Sequence, residues 1–165
     1  MFLTKGLRSK LSKIRMVVFD FDGVMTDNRA LLSETGEEYV FVSRADGVGI
    51  HMLEALGCQV MFLSSETKPL VARRAKKLNI PVIHGVREKV VVLTDYIQKS
   101  GISPSELMYV GNEINDLECL KLAGVAVVPR DAHSCVQKVA TVRLKTRGGY
   151  GVSRELAEIL SRVRG

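Results

Sequence analysis

Short apolar runs recur along the chain, separated by longer stretches in which apolar residues have helical spacing. The runs have the length and character of buried parallel strands and lie at 16–19, 60–63, 81–83, 107–110 and 125–128. Between them we predict helices, most of them ending at a glycine, over about 46–56, 69–78, 88–100 and 114–123. This alternation predicts an α/β fold: a three-layer α/β/α sandwich around a mostly parallel sheet.

Two segments depart from the alternation. Residues 28–42 contain two short β-prone pieces around the polar stretch SETGEE, which predicts a β-hairpin inserted in the first crossover and too small to be a cap domain. The tail, residues 146–165, is rich in glycine and then shows a helical pattern at 152–163, so we predict a flexible turn before a last helix. The chain has 165 residues, and we predict one domain over 1–165.

Composition and charge argue against several classes of protein. The formal net charge of +6 is concentrated at the two ends without interleaved aromatic residues, so we do not expect nucleic-acid binding. The cysteines Cys58, Cys119 and Cys135 form no C-x-x-C pair, which argues against a disulfide framework or a zinc site and favours a reducing cytoplasm. Apolar runs never reach about eighteen residues, so we expect no membrane span.

Polar residues that follow the apolar runs form a coherent set. Ligands of open α/β sheets bind outside the carboxyl ends of the strands, so these positions are the candidates for a site. The set comprises two carboxylates after the first run, two serines after the second, a lysine at the start of a later helix and a polar cluster after the fourth run: Asp20, Asp22, Ser64, Ser65, Lys89, Asn112, Glu113 and Asp116.

These residue types are suited to phosphoryl transfer. One of two neighbouring carboxylates can attack phosphorus while the other handles the proton. Mg²⁺ would neutralise charge on the phosphate and take oxygen ligands from Asp20, from the backbone carbonyl of Asp22 and from the loop after the fourth run. Ser64 can hydrogen-bond the phosphoryl oxygens, and Lys89 can pair with both the phosphate and Asp20. A D-x-D pair by itself could equally be a solvated turn, so the interpretation depends on the whole set.

The motifs D-x-D-G-V-x-T-D, Ser, Lys and G-N-x-x-x-D, in this order, resemble the haloacid dehalogenase superfamily over nearly the whole chain. The segments VMTDN, RADG, SSET, YVGNEIND and RGGYGVSREL are similar to the capless phosphatases of 3-deoxy-2-ulosonate phosphates and to the related C-terminal module of CMP-sialate synthetases. The resemblance implies Asp20 as nucleophile, Asp22 as general acid and base, and Ser64 and Lys89 as phosphate-binding groups. It also implies a homotetramer in which hairpins and tails help to complete neighbouring active sites.

One position departs from the family pattern. The loop after the fourth strand usually reads G-D-D-x-x-D in this family, and its first Asp is a metal ligand, whereas this chain has Asn112 followed by Glu113. An amide oxygen is still acceptable to Mg²⁺, so we expect a weakened metal site rather than none. The resemblance thus implies Asp20, Asp22 and Asn112 as metal ligands, with Glu113 and Asp116 behind them.

The resemblance also bears on the substrate. Enzymes of the subgroup that act on the eight-carbon 8-phosphate typically have T-G-R-K after the second strand. Phosphatases of nonulosonate 9-phosphates have Glu in place of that Arg, and this chain has Glu66 at the position. Glu66 could accept hydrogen bonds from sugar hydroxyls or orient Lys77, which favours KDN or N-acetylneuraminate 9-phosphate; alternatively it simply opens a helix. Arg44 and Arg74 match positions near the substrate carboxylate, and Arg147 brings a positive charge suited to an acid sugar phosphate.

Two alternatives to a nonulosonate phosphatase stay open. One is a KDO 8-phosphate phosphatase. The other is a catalytically weak oligomerisation module like that of CMP-sialate synthetases, which the substitution at Asn112 favours. The intact Asp20, Asp22, Ser64 and Lys89 favour an enzyme instead.

Overall fold

The computed structural model describes residues 4–165 and contains two sheets. A parallel sheet of six strands has the order β5-β4-β1-β6-β7-β8, and a separate antiparallel pair is formed by β2 and β3. In chain order the strands are β1 (Met16–Phe19), β2 (Thr26–Leu32), β3 (Glu38–Val42), β4 (Gln59–Leu63), β5 (Val82–Ile83), β6 (Leu107–Val110), β7 (Val125–Val128) and β8 (Val142–Arg143). The α/β fold class predicted from the sequence is confirmed.

Helices cover both faces of the parallel sheet. They are α1 (Lys5–Ser12), α2 (Arg44–Ala55), α3 (Leu70–Leu78), α4 (Lys89–Lys99), α5 (Leu117–Leu122), α6 (Ser134–Val139) and α7 (Val152–Arg164). Successive side chains of a strand point to opposite faces, and β1 accordingly sends Val17 and Phe19 into one hydrophobic core and Met16 and Val18 into the other. The first core is shared with α1, α2, α3 and α7, and the second with α4, α5 and α6.

The helix boundaries differ from the predicted ones where side chains cap the backbone. Helix α2 begins at Arg44 because the Ser43 side chain accepts a hydrogen bond from the amide of Ala45. The stretch predicted as one helix over 114–123 is divided into a 3₁₀ turn, Ile114–Asp116, and α5. Three short elements, α1, α6 and β8, were not predicted, since each is too short or too polar to show a periodic pattern.

The predicted hairpin is confirmed, although it begins at Thr26 rather than at residue 28. Its two strands extend away from the main sheet and expose several large apolar side chains. The most exposed of them is Phe41, with 76% of its surface accessible, and the others are Leu31, Leu32 and Tyr39. Among the helices of residues 4–165, none has the length and apolar character that a bilayer crossing requires.

The turn before α7 was predicted to be flexible, but the structure holds it in place with hydrogen bonds to neighbouring segments. The amide of Gly149 donates to the carbonyl of Val24, and the amide of Arg130 donates to the carbonyl of Thr146. Helix α7 packs tightly on α2. The two helices are so close that a side chain added at Gly49 would overlap the backbone of Arg154. These contacts bury the apolar face of the C-terminal helix in the first core.

Candidate active site

The predicted catalytic residues meet at the carboxyl edge of the parallel sheet. Asp20 directly follows β1 and Ser64 directly follows β4, while Asn112 lies two residues beyond β6. Strand β1 pairs with both β4 and β6, so the three loops that follow these strands are neighbours. Together they line a cavity of about 140 Å³, formed by Asp20, Asp22, Asn28, Ser64, Ser65, Glu66, Asn112, Glu113 and Asn115.

Lys89 joins two carboxylates beneath this cavity. Its Nζ lies 2.7 Å from Oδ1 of Asp20 and 2.8 Å from Oδ1 of Asp116, and all three side chains are buried. Lys89 is the first residue of α4, so the helix carries the ammonium under the end of β1. A buried charge is tolerated when it is paired and hydrogen-bonded, and here each of these three groups has such a partner.

Asp116 holds the loop after β6 in position. Its Oδ1 accepts a hydrogen bond from the Tyr109 hydroxyl at 2.7 Å in addition to the contact with Lys89. Its Oδ2 accepts hydrogen bonds from the backbone amides of Asn112 at 2.9 Å and Glu113 at 3.1 Å. The carboxylate therefore orients the loop that carries Asn112, and a supporting role of Asp116 behind a metal stays a prediction.

The site carries more negative than positive charge. Burial, and next the charge of Asp116, raises the pKa of Asp20 to about 8, and Lys89 offsets only part of this. Burial acts to lower the pKa of Lys89, but the two carboxylates raise it above its ordinary value. Burial also raises the pKa of Asp22, and the nearby charge of Glu66 adds to this effect. A cation placed among these carboxylates would relieve their mutual repulsion.

The oxygen atoms at the mouth of the site fit a hard divalent cation. The side-chain oxygen of Asn112 is buried and has no hydrogen-bond partner within the described chain, which is unusual for a buried acceptor. Residues 4–165 contain no cluster of three or more His, Cys, Asp and Glu side chains arranged for a metal. Asp20, Asp22 and Asn112 offer oxygen atoms, the ligands that Mg²⁺ prefers.

Replacing Asn112 with aspartate is expected to tighten Mg²⁺ binding by about tenfold, because ligand charge governs the affinity of such oxygen sites. The side chain of Asn112 lies so close to Gly23 that a side chain added at Gly23 would overlap it. Aspartate has nearly the shape of asparagine, so it fits in the same space. Calorimetric titration of Mg²⁺ into both proteins measures the change without depending on turnover.

The matched control for this substitution is Asn115→Asp. Asn115 lines the same cavity, but its amide donates to the Ser65 hydroxyl. The Asn115→Asp substitution therefore adds an equal charge at a position that we do not expect to ligate the ion. The affinity of the control should rise by less than about threefold. Equal gains in the two variants would show that Asn112 does not contact the metal.

The predicted substrate-binding residues are placed less uniformly. Glu66 lines the cavity and accepts a hydrogen bond from the amide of Lys68. Helix α3 begins four residues after Glu66, so the alternative that Glu66 opens a helix is wrong. Lys77 is exposed near the end of α3 and forms no hydrogen bond or ion pair with Glu66 within the described chain. The predicted orientation of one side chain by the other is therefore not observed.

The three arginines lie outside the cavity lining. Arg44 is exposed on the first turn of α2, and the guanidinium of Arg74 donates to the carbonyl of Ser43 at 2.9 Å. Arg147 is exposed in the turn before α7, beside Gly148, whose backbone packs against the loop after β1. A role of these arginines in substrate binding stays a prediction.

Several residues of the site were not predicted from the sequence. Asn28 and Asn115 line the cavity, and Tyr109 anchors Asp116 from within β6. Tyr109 is hidden in an apolar run, where its hydroxyl gives no pattern that distinguishes it from a core residue. Asn28 has a left-handed backbone, with φ of 61°. Asn tolerates this conformation, so the residue type was the signal for a turn of special geometry at this position.

Comparisons with known proteins agree with this geometry. The model of the haloacid dehalogenase-like hydrolase family matches residues 59–156. The 3-deoxy-D-manno-octulosonate 8-phosphate phosphatase of Haemophilus influenzae is 30% identical over 160 residues, which cover 96% of this chain and 89% of the relative. The N-acylneuraminate cytidylyltransferase A of Danio rerio is 29% identical over 92% of this chain, but this chain spans only 36% of its length.

A solved structure extends the similarity to three dimensions. The 3-deoxy-D-manno-octulosonate 8-phosphate phosphatase of Moraxella catarrhalis, in complex with a magnesium ion, a phosphate ion and a KDO molecule, superposes with a TM-score of 0.92. It is 25% identical, and the match covers 98% of this chain and 93% of that one. The chain therefore belongs to the haloacid dehalogenase-like hydrolases, and within that family it is a phosphatase.

Proposed function

We propose that this phosphatase hydrolyses the phosphomonoester of a 3-deoxy-2-ulosonic acid with the help of Mg²⁺, and that Asp20 is its nucleophile. The observation that carries the proposal is the position of Asp20, which faces the cavity at the end of β1 with the Lys89 ammonium 2.7 Å away. Asp22, two residues later, lines the same cavity and supplies the second carboxyl group that the reaction needs.

The reaction proceeds in two steps. In the first, a carboxylate oxygen of Asp20 attacks phosphorus, the bond from phosphorus to the sugar oxygen breaks, and Asp22 donates a proton to the departing oxygen. A cation held beside Asp20 would lower the pKa of this carboxyl group and so favour the charged form that attacks. Burial, and next the charge of Glu66, raises the pKa of Asp22 above its ordinary value. In the second step, water attacks the aspartyl phosphate, Asp22 accepts the proton of the water, and phosphate leaves with the carboxylate of Asp20 restored.

Ser64 and Lys89 have donors available for the phosphoryl oxygens. The hydroxyl oxygen of Ser64 accepts from the amide of Glu66 at 3.1 Å, which leaves its own proton free to donate. The ammonium of Lys89 uses two of its three N–H groups on Asp20 and Asp116. When bound at Asp20, Asp22 and Asn112, Mg²⁺ supplies a counter-charge for the phosphate.

Within this class, a nonulosonate 9-phosphate such as KDN or N-acetylneuraminate 9-phosphate is the favoured substrate. The support is Glu66, which places a carboxylate on the cavity wall where it can accept hydrogen bonds from sugar hydroxyls. The names of the bacterial relatives favour KDO 8-phosphate as the second candidate.

A phosphate-release screen over these sugar phosphates, with and without Mg²⁺, tests the proposal. We expect kcat/KM to be at least about tenfold higher on nonulosonate 9-phosphates than on KDO 8-phosphate, and Glu66→Gln to remove most of this difference, since a mispaired polar group costs about 1–3 kcal/mol. The exposed Glu34→Gln serves as the matched control. Higher activity on KDO 8-phosphate would reverse the preference, and activity on neither class would favour the non-catalytic module.

We further propose that the enzyme is a cytoplasmic homotetramer. The support for assembly is the hairpin, on which Leu31, Leu32, Tyr39 and Phe41 are each more than half exposed and would favour burial against another subunit. The three cysteines are unpaired in the described chain, which suits a reducing compartment. Arg147 would contribute to the site of a neighbouring subunit, and light scattering measures the assembly itself.

A further inference from the structure

The turn before α7 lies with its backbone directly against the loop that carries Asp22. A side chain added at Gly148 would overlap the carbonyl oxygen of Gly23, and one added at Gly149 would place its carbon 2.5 Å from the amide nitrogen of Asp27. Gly149 also has a φ of +76°, in the region that favours glycine. The two backbones can approach this closely only because both positions of the turn lack side chains.

Hydrogen bonds fix the turn on both sides. The amide of Gly149 donates to the carbonyl of Val24 at 3.0 Å, and the amide of Gly148 donates to a carboxylate oxygen of Asp131 at 3.0 Å. Just beyond the turn, the buried Asp46 of α2 accepts hydrogen bonds from the amide and hydroxyl of Ser153 at the start of α7. The turn is thus anchored to the core and bears on the loop after β1.

The Thr26 hydroxyl connects this loop to Asp22. Thr26 is fully buried, and its hydroxyl oxygen accepts from the amides of Gly23 at 3.1 Å and Asn28 at 3.3 Å. Both of these groups are donors, so the single hydroxyl proton is directed to the remaining partner, Oδ1 of Asp22 at 3.4 Å. That distance is long for such a bond, so the contact contributes little to stability, and the Thr26 hydroxyl is the neighbour that faces this side of the carboxyl group.

We propose that the Gly148–Gly149 turn and the Thr26 hydroxyl form a brace that holds Asp22 in the orientation required for proton transfer. Both act through Asp22 rather than on phosphorus or the substrate, so both are positioning elements, and they act within their own subunit. The inference rests on the proposed function, in which Asp22 handles the proton. A small displacement of a catalytic group by a distant substitution can cost about 10²-fold in rate, and the brace is the structure that prevents such a displacement.

The first test is Gly148→Ala, because the added methyl group must push the turn and the loop after β1 apart. We expect kcat for para-nitrophenyl phosphate or the sugar phosphate to fall about 100-fold, with KM changed by less than about threefold. The matched control is Gly6→Ala, where an added methyl group has no neighbour within 4 Å. Rates are normalised to the folded fraction measured by circular dichroism.

The second test removes the hydroxyl without adding bulk and decides the matter if Gly148→Ala does not fold. Thr26→Val keeps the shape of the side chain, and we expect it to lower kcat about tenfold at an unchanged KM. Thr26→Ser restores the hydroxyl and should recover at least about half of the wild-type kcat, a rescue that a purely structural role of the methyl group would not give.

The outcomes separate the brace from the proposed function. Wild-type kcat in Thr26→Val, or failure of Thr26→Ser to recover more activity than Thr26→Val, would overturn the brace while leaving the phosphatase intact. A wild-type protein without activity on any phosphomonoester would overturn both. Loss of kcat in Thr26→Val with recovery in Thr26→Ser would establish the brace.

Discussion

Replacing Asp20 with asparagine is expected to lower the rate of phosphate release by more than about 10⁴-fold, beyond the 10²–10⁴-fold that acid–base assistance alone supplies. An amide nitrogen or oxygen cannot form the acyl phosphate, so the variant has no covalent route to the product. The rate of phosphate release in the presence of Mg²⁺, measured with the best substrate of the screen, gives the size of the loss.

The Asp20→Asn variant should remain folded, because asparagine has the shape of aspartate and its oxygen can still accept from Lys89. Circular dichroism and the melting temperature check this. Asp95→Asn is the matched control, since Asp95 is exposed and pairs with the exposed Lys99. If Asp20→Asn kept more than about a hundredth of the wild-type rate, acid–base assistance would account for its effect and Asp20 would not be the nucleophile.

Replacing Lys89 with methionine is expected to lower the free energy of unfolding by about 3–5 kcal/mol and to abolish activity, because removal of one partner leaves a buried charge uncompensated. Asp20 and Asp116 would then face each other without the ammonium that lies within 2.8 Å of both. Methionine fills nearly the same volume, so the loss reports charge rather than a cavity. Urea denaturation at neutral pH measures it.

The control is Lys99→Met, which breaks an exposed pair with Asp95 four residues away on the same helix. Exposed pairs of this kind contribute about 0.3–0.5 kcal/mol, so the control should unfold almost as the wild type does. Equal stability of Lys89→Met and Lys99→Met would mean that the buried carboxylates of the site bind protons instead of relying on Lys89. That result would also remove the basis for a charged Asp20 in the resting enzyme.

The fold and the main members of the site could be predicted because both depend on local patterns. Each apolar run is a strand buried on both faces, and polar residues directly after such strands must lie at one edge of a parallel sheet. This argument brings Asp20, Ser64 and Asn112 together without any knowledge of packing. The hairpin was predictable for the same reason, since β-prone pieces around a polar turn pair with each other.

The tertiary structure decided what joins residues that are distant in the chain. The two carboxylate partners of Lys89, the contact of Arg74 with the Ser43 carbonyl and the approach of Gly148 to Gly23 all depend on how helices and loops are packed on the sheet. No local pattern encodes them, because hydrogen bonding and steric fit act over a few ångströms between elements whose relative positions only the folded core sets.

The amino-acid sequence by itself thus determined the order of strands and helices along the chain, the hairpin and the chemistry available at the carboxyl edge. The sequence did not determine that the glycine-rich turn is held in place, because glycine occurs both in flexible loops and in tight backbone contacts. The folded chain resolves that ambiguity: the core holds α7 against α2, and the turn that precedes α7 packs directly against the loop that carries Asp22.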